Sequence, residues 1–87
     1  MDRAIRTFLD VLSVQQSASP QTIRAYASDL AQFHTFALSV LKPGGPLVPQ
    51  AVAPALIREF LAARDRQGDK KASLARKLAC LRSFFRY

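Results

Sequence analysis

The sequence predicts an all-α domain built as a bundle of four helices. Apolar residues recur at spacings of three and four along most of the chain, and no segment shows the strict alternation of a strand. Four of the five prolines lie in residues 42–54, where they separate two pairs of helices. The chain has 87 residues, and domains usually have ~100–200, so residues 1–87 are predicted to form a single domain.

The first helix is predicted over Asp2 to Val14. Its apolar face comprises Ile5, Phe8, Leu9 and Leu12. Arg3 and Arg6 lie off that face. Residues 15–18 form a short connection to the next helix, so the first two helices are expected to pack together.

The second helix has the clearest start in the sequence and is predicted to continue to about Leu41. Ser19 can accept hydrogen bonds from free backbone N–H groups, and Pro20 suits the first helical position, where no donor is needed. The predicted core stripe comprises Ile23, Tyr26, Ala27, Leu30, Phe33, Ala37, Leu38 and Leu41. The opposite face is small and polar, with one cation and no anion, and comprises Gln21, Arg24, Ala25, Ser28 and Gln32. Such a face can approach a phosphate backbone closely.

The second half of the chain is predicted to hold a loop and two helices. The loop spans residues 42–54, and we expect its apolar residues to lie against the core: Leu47, Val48, Ala51 and Val52. A third helix begins at Pro54 and ends near Gly68, with a stripe of Leu56, Ile57, Phe60 and Leu61. A fourth helix begins near Ala72. Its predicted core-facing residues are Leu74, Leu78, Leu81 and Phe85, with Phe84 beside them.

The charge of the chain is strongly basic. Thirteen Lys and Arg against six Asp and Glu give a formal net charge of +7. This favours a polyanionic partner, most often nucleic acid, over the alternative of a merely soluble basic surface.

The same composition argues against several other classes of protein, among them disulfide-bonded, metal-binding, enzymatic and membrane-spanning proteins. Cys80 is the single cysteine, so no internal disulfide is possible, and no Cys/His cluster has metal-ligand spacing. His34 has no Asp or Cys at a catalytic spacing, so we expect it to pack, partly buried. No apolar run approaches the ~20 residues that span a bilayer. We therefore predict no catalytic residue, metal, cofactor or membrane contact, and a cytoplasmic location.

The fourth helix combines long cations with small residues. DNA-reading helices use this combination, because Arg and Lys reach phosphates and bases while small residues admit the helix to the major groove. A solvated face with the cations lying over the core is the alternative. Together with the start and polar face of the second helix, the predicted DNA contacts are Ser19, Gln21, Thr22, Arg24, Ser28, Lys70, Lys71, Ser73, Arg76, Lys77 and Arg82.

Four groups of residues, spread over nearly the whole chain, carry a family resemblance. They are Phe8-Leu9, the run Ser19-Pro20-x-Thr22-x-x-x-Tyr26-x-x-Asp29-Leu30-x-x-Phe33, the run Ile57-Arg58-x-Phe60-Leu61, and Leu74-Ala75-Arg76-Lys77-Leu78-x-x-Leu81-Arg82-Ser83-Phe84-Phe85-Arg86-Tyr87. Together they resemble the N-terminal core-binding domain of tyrosine recombinases, the Xer-type enzymes and phage integrases. The sequence departs from that pattern at Asp69-Lys70, where the family often has a Ser-based cap, and in its longer middle loop.

The resemblance implies a four-helix, SAM-like orthogonal bundle that clamps a double-stranded DNA recombination site. The second and fourth helices would cross in the major groove, and other recombinase subunits would bind the same DNA. Strand cleavage in that family needs two arginines, a histidine and a tyrosine nucleophile in a separate catalytic domain, and nothing of this kind follows Tyr87. The chain is therefore expected to be the DNA-binding part of a longer recombinase, with no small-molecule substrate.

Two other functions can be weighed against DNA binding. A SAM-like protein–protein interaction module would self-associate, with the first helix and its exposed arginines as the contact. A stand-alone enzyme has no support, because the chain offers no paired carboxylates, no Gly-rich phosphate loop and no nucleophile beside a base.

Overall fold

The computed structural model describes residues 1–86 and contains four α-helices in that range. They are α1 (Asp2–Val14), α2 (Pro20–Leu41), α3 (Pro54–Arg66) and α4 (Lys71–Arg86), with a 3-10 turn at Pro49–Ala51. No strand occurs among these residues, so the all-α class and the four helices are confirmed. None of the four helices is both long enough and apolar enough to cross a membrane.

The start of α2 is capped as its sequence predicts. The Ser19 hydroxyl oxygen accepts a hydrogen bond from the Thr22 backbone N–H at 3.1 Å, and the same hydroxyl donates to Thr22 Oγ1 at 2.9 Å. Pro20 occupies the first turn, where its missing N–H costs nothing. This end of α2 is therefore fixed by contacts among four consecutive residues.

The core stripe of α2 is confirmed along most of its length but is wrong at its C-terminal end. Leu30, Phe33 and Ala37 are fully buried, whereas Leu38 and Leu41 are exposed. Both exposed leucines lie in the last turn of α2, which at 22 residues is longer than α1 and α3 with 13 each.

The middle loop contacts the core through fewer residues than predicted. Leu47 is 3% exposed, but Val48 is 51% exposed, and Ala51 is exposed as well. Val48 has extended backbone dihedrals, and successive side chains on extended backbone point to opposite sides. Leu47 therefore points inward and Val48 outward.

Gly68 ends α3, as predicted, in a left-handed conformation with φ of +100°. The Gly68 N–H donates to the Asp65 carbonyl at 3.0 Å, and the Asp69 N–H donates to the Arg64 carbonyl at 3.1 Å. This pair of bonds is the Schellman motif, which satisfies the last carbonyls of a helix.

The hydrophobic core is centred on Phe33 of α2. Its ring makes edge contacts with Phe60 of α3 and Phe85 of α4, at centroid distances of 5.3 and 5.8 Å. Phe8 of α1 contacts Phe84 of α4 at 5.5 Å. All four helices thus contribute aromatic side chains to one core.

The inward face of α4 differs from the predicted one. Its buried residues are Lys77, Cys80, Leu81 and Phe84. Leu74 and Leu78 are only half-buried, although the sequence predicts that they face the core. Phe85 is also half-buried, but it packs against the core as predicted, through its contact with Phe33. The buried face of α4 includes a charged side chain, Lys77, which contacts the Asp29 carboxylate of α2.

Candidate nucleic-acid interface

A buried carboxylate joins α2 to α4 where the two helices cross. Asp29 of α2 is 0% exposed. Arg76 donates from Nε and Nη2 to its two oxygens, both at 2.9 Å, and Lys77 donates from Nζ at 3.1 Å. The hydrogen bond to Asp29 raises the pKa of the Arg76 guanidinium. A buried carboxylate needs such partners, because an unpaired charge in the interior is strongly unfavourable.

Lys77 does not lie where the sequence predicts. Its side chain is 4% exposed, and its ammonium lies between Asp29 and Asp69, 3.5 Å from the nearer oxygen of Asp69. Lys77 is therefore removed from the set of candidate DNA contacts.

The ionic cluster continues to the end of α3. Arg64 donates from Nε and Nη2 to the two oxygens of Asp69, both at 3.0 Å. The hydrogen bond from Arg64 lowers the pKa of the Asp69 carboxyl. Asp69 thus joins the α3–α4 turn to the interior instead of capping α4, which gives a physical role to this departure from the family pattern.

On α2, the predicted contacts form an exposed stripe. Gln21, Arg24 and Ser28 are exposed and spaced by three and four residues, so they share one side of the helix. Gln32 donates to the Ser28 hydroxyl at 3.4 Å. Ser28 directly precedes Asp29, which binds the Arg76 guanidinium. Ser19 and Thr22 are exposed at the start of α2 but already bond to one another in the cap.

On α4, the predicted contacts divide into two groups. Ser73 lies three residues before Arg76 on the same side of the helix, and Arg76 remains 42% exposed. Lys70 and Lys71 are exposed at the N-terminal end, where the free N–H groups of a helix favour anions. These residues lie on the side of α4 that meets α2 or at its start.

Arg82 lies elsewhere. It follows Arg76 by six residues, about one and two-thirds turns, and so occupies a different side of α4. There it lines an apolar groove between α3 and α4, together with Ile57, Leu61 and Leu78. The structure thus separates Arg82 from the surface that α2 and α4 share.

We define the α2–α4 face as Gln21, Arg24, Ser28, Ser73 and Arg76. The charge of this face depends on where the acidic residues of α2 and α4 lie. Asp29 is the only acidic residue in residues 20–41 and 71–86, and it is buried and bound to two cations. Neither helix therefore presents a negative side chain to solvent on this face.

Two residues found at the α1–α2 contact were missed or misjudged from sequence. His34 Nδ1 lies 3.0 Å from the Asp2 carboxylate, so the expectation that His34 has no acidic partner is wrong. The packing role is supported, because the histidine is largely buried while Asp2 is exposed. Asp2 lies 32 positions earlier in the chain, and no local pattern signals the pair.

Asp29 itself has no role assigned by sequence reasoning, although it belongs to the run that carries the resemblance. The available signal was a single acid at the border between the apolar stripe and the polar face of α2. Cys80 is fully buried and donates through Sγ to the Tyr26 carbonyl at 3.8 Å.

Comparison with models of known protein families shows which family the chain belongs to. The family model described as the phage integrase N-terminal SAM-like domain matches residues 5–87. The chain belongs to this family. All residues of the α2–α4 face of this SAM-like domain fall within the matched range.

Curated relatives of the SAM-like domain carry recombinase names. The domain is 39% identical over 83 residues to tyrosine recombinase XerC of Thermodesulfovibrio yellowstonii, covering 95% of this chain and 25% of the relative. It is 40% identical to XerC of Pelotomaculum thermopropionicum, covering 95% and 28%, and 38% identical to tyrosine recombinase XerD of Bradyrhizobium diazoefficiens, covering 92% and 24%. The chain thus spans about a quarter of the length of these relatives. No solved structure matches it significantly.

Proposed function

We propose that this SAM-like domain is the DNA-binding domain of a tyrosine site-specific recombinase. Residues 1–87 act as one domain and hold one side of a recombination site in double-stranded DNA. Strand cleavage and rejoining belong to a further domain of the longer protein, and other recombinase subunits bind the same DNA. The names and lengths of the relatives support this division.

The observation that carries the proposal is the charge of the α2–α4 face. Arg24 and Arg76 are exposed, Lys70 and Lys71 lie at the N-terminal end of α4, and the single acid of the two helices is buried. Small side chains, Ser28 and Ser73, lie on the same helix sides as Arg24 and Arg76 and permit close approach to a phosphate backbone. Specificity is expected to be modest, since phosphate contacts position a protein without reading sequence.

A salt titration tests this proposal. Affinity is measured for a duplex that contains a candidate recombination half-site and for a scrambled duplex, from about 50 to 300 mM salt. If the four exposed cations each neutralise one phosphate, log affinity falls with log salt at a slope of about −3 to −4. We expect a small preference for the half-site.

Matched variants test which surface of the domain binds DNA. Arg24→Ala and Arg76→Ala should each flatten the slope by about one, whereas Arg3→Ala, at an exposed position of α1, should leave it unchanged. Absence of binding at low salt would refute the proposal. If sedimentation of the DNA-free chain then showed self-association at micromolar concentration, the protein-interaction module would replace it.

A further inference from the structure

Asp29, Arg76 and Lys77 form a cluster in which only one member reaches solvent. Asp29 and Lys77 are 0% and 4% exposed, whereas Arg76 is 42% exposed. One negative and two positive charges leave one positive charge in this group. Asp29 and Lys77 both lie inside, so Arg76 is the member of the group that presents positive charge to solvent.

The orientation of Arg76 is also fixed by the cluster. Nε and Nη2 both bind Asp29 at 2.9 Å, so the plane of the guanidinium is set by two bonds to an immobile carboxylate. Nη1 has no hydrogen-bond partner among residues 1–86. The group can therefore offer its remaining donors to a phosphate without first being ordered.

The second ion pair of the network does not change this balance. Asp69 is close to Lys77, at 3.5 Å, but it is bound at both oxygens by Arg64 at 3.0 Å. Arg64 and Asp69 thus form a neutral pair, so Asp29, Arg76 and Lys77 together keep their one positive charge. The two carboxylates each have one bidentate arginine, and only the arginine on Asp29 belongs to the α2–α4 face.

We infer that Asp29 and Lys77 are positioning residues for phosphate binding by Arg76. Asp29 holds the guanidinium in a binding orientation, and Lys77 neutralises Asp29 so that Arg76 keeps its positive charge for the phosphate. Lys77 thus contributes to affinity for a polyanion without contacting it. This inference rests on the proposed function, because it explains how Arg76, one cation of the α2–α4 face, is oriented and charged for phosphate binding.

Two variants separate the charge effect from the orientation effect. Lys77→Met leaves Asp29 and Arg76 as a neutral pair, so the salt slope should flatten by about one and affinity near 50 mM salt should fall about tenfold, as for Arg76→Ala. The double variant Asp29→Asn/Lys77→Met removes both buried charges and frees Arg76. Its slope should stay as in the wild type, while affinity falls about threefold to tenfold because the side chain must be ordered on binding.

The matched control is Arg64→Gln/Asp69→Asn, which removes an ion pair of the same geometry beside Lys77 without touching Arg76. It should keep the wild-type slope. Circular dichroism establishes that each variant is folded in the titration buffer. If Lys77→Met does not fold, the double variant, which has no unpaired buried charge, still decides the orientation effect.

A measurement without DNA gives an independent result. In the wild-type 87-residue chain, the Arg76 Nε–H should give a separate, slowly exchanging NMR signal, and the double variant should lose it. Loss of salt-dependent binding in the wild type would refute the proposed function. If the wild type binds and Arg76→Ala weakens binding, but a folded Lys77→Met keeps the wild-type slope or the double variant keeps full affinity, the inference is wrong and the proposed function remains.

Discussion

Cys80 lies where α4 crosses α2, and its chemistry follows from that position. The thiol is fully buried and donates to the Tyr26 carbonyl. Burial, assisted by the nearby negative charge of Asp29, raises its pKa from 9.0 to about 12. The thiolate is the reactive form of cysteine, so at neutral pH this residue is a packing group and not a nucleophile.

We therefore predict that Cys80 resists alkylation until the domain unfolds. At pH 8 the native chain should react with iodoacetamide at least about a hundredfold more slowly than the chain in concentrated urea, because both access and thiolate fraction are reduced. Mass spectrometry of labelled protein across a urea series measures this. Equal rates in the absence and presence of urea would contradict the burial of this side chain.

Residues whose partners are near in sequence could be predicted, and residues whose partners are distant could not. Ser19 caps α2 through Thr22, three positions later, and the pattern is visible in the sequence. Lys77 pairs with Asp29, 48 positions away, so its charge indicated only an exposed cation. The same separation hid the role of Asp29, which is the main feature of the site that sequence reasoning missed.

At the scale of the elements, helix boundaries were more predictable than helix orientation. Pro20, Pro54 and Gly68 mark ends through local backbone preferences, and the observed ends agree to within a residue or two. The inward face of α4 was less predictable, because Leu74 and Leu78 are as apolar as the residues that are buried. Which side faces the core depends on the contact of Lys77 with α2, a tertiary interaction.

The end of α3 gives a prediction at this scale. Gly68 has φ of +100°, and a Cβ added there would meet no atom within 4 Å. Gly68→Ala should therefore destabilise the domain by about 1–2 kcal/mol through backbone strain alone, without a clash. Thermal unfolding should show a midpoint lower by roughly 5–15 °C, given ~4–8 °C per kcal/mol for a domain of this size.

Gly44→Ala is the matched control. Its added Cβ also meets no atom within 4 Å, and Gly44 has no positive φ. The variant should be neutral or stabilised by up to about 1 kcal/mol, since alanine restricts the unfolded chain. Similar midpoints for the two variants would contradict the assignment of strain to Gly68.

For the whole molecule, stability depends on a single aromatic core. Phe33 is fully buried and contacts Phe60 and Phe85, so it joins α2, α3 and α4. The contact of Phe8 with Phe84 adds α1 to the same core. An 87-residue chain has a small core, and small domains are stable by only about 5–10 kcal/mol.

Phe33→Ala should therefore leave the domain close to unfolding. Replacing a buried phenylalanine by alanine costs about 3–5 kcal/mol, which is a large part of the total. Urea denaturation followed by circular dichroism measures the loss. Val48→Ala, at a position 51% exposed, should change stability by less than about 0.5 kcal/mol, and an equal loss in the two variants would contradict the single-core description.

The shared carboxylate at the α2–α4 crossing also constrains how this sequence can change over time. Replacing Asp29 alone leaves the buried Lys77 ammonium with Asp69, at 3.5 Å and already bound by Arg64, as its counter-charge. Replacing Lys77 alone alters the charge that Arg76 presents at the surface. Each single step is unfavourable for a different reason, one through folding and one through binding. Substitutions at these two positions, 48 residues apart, should therefore be better tolerated together than singly, so that two distant codons tend to change as a pair.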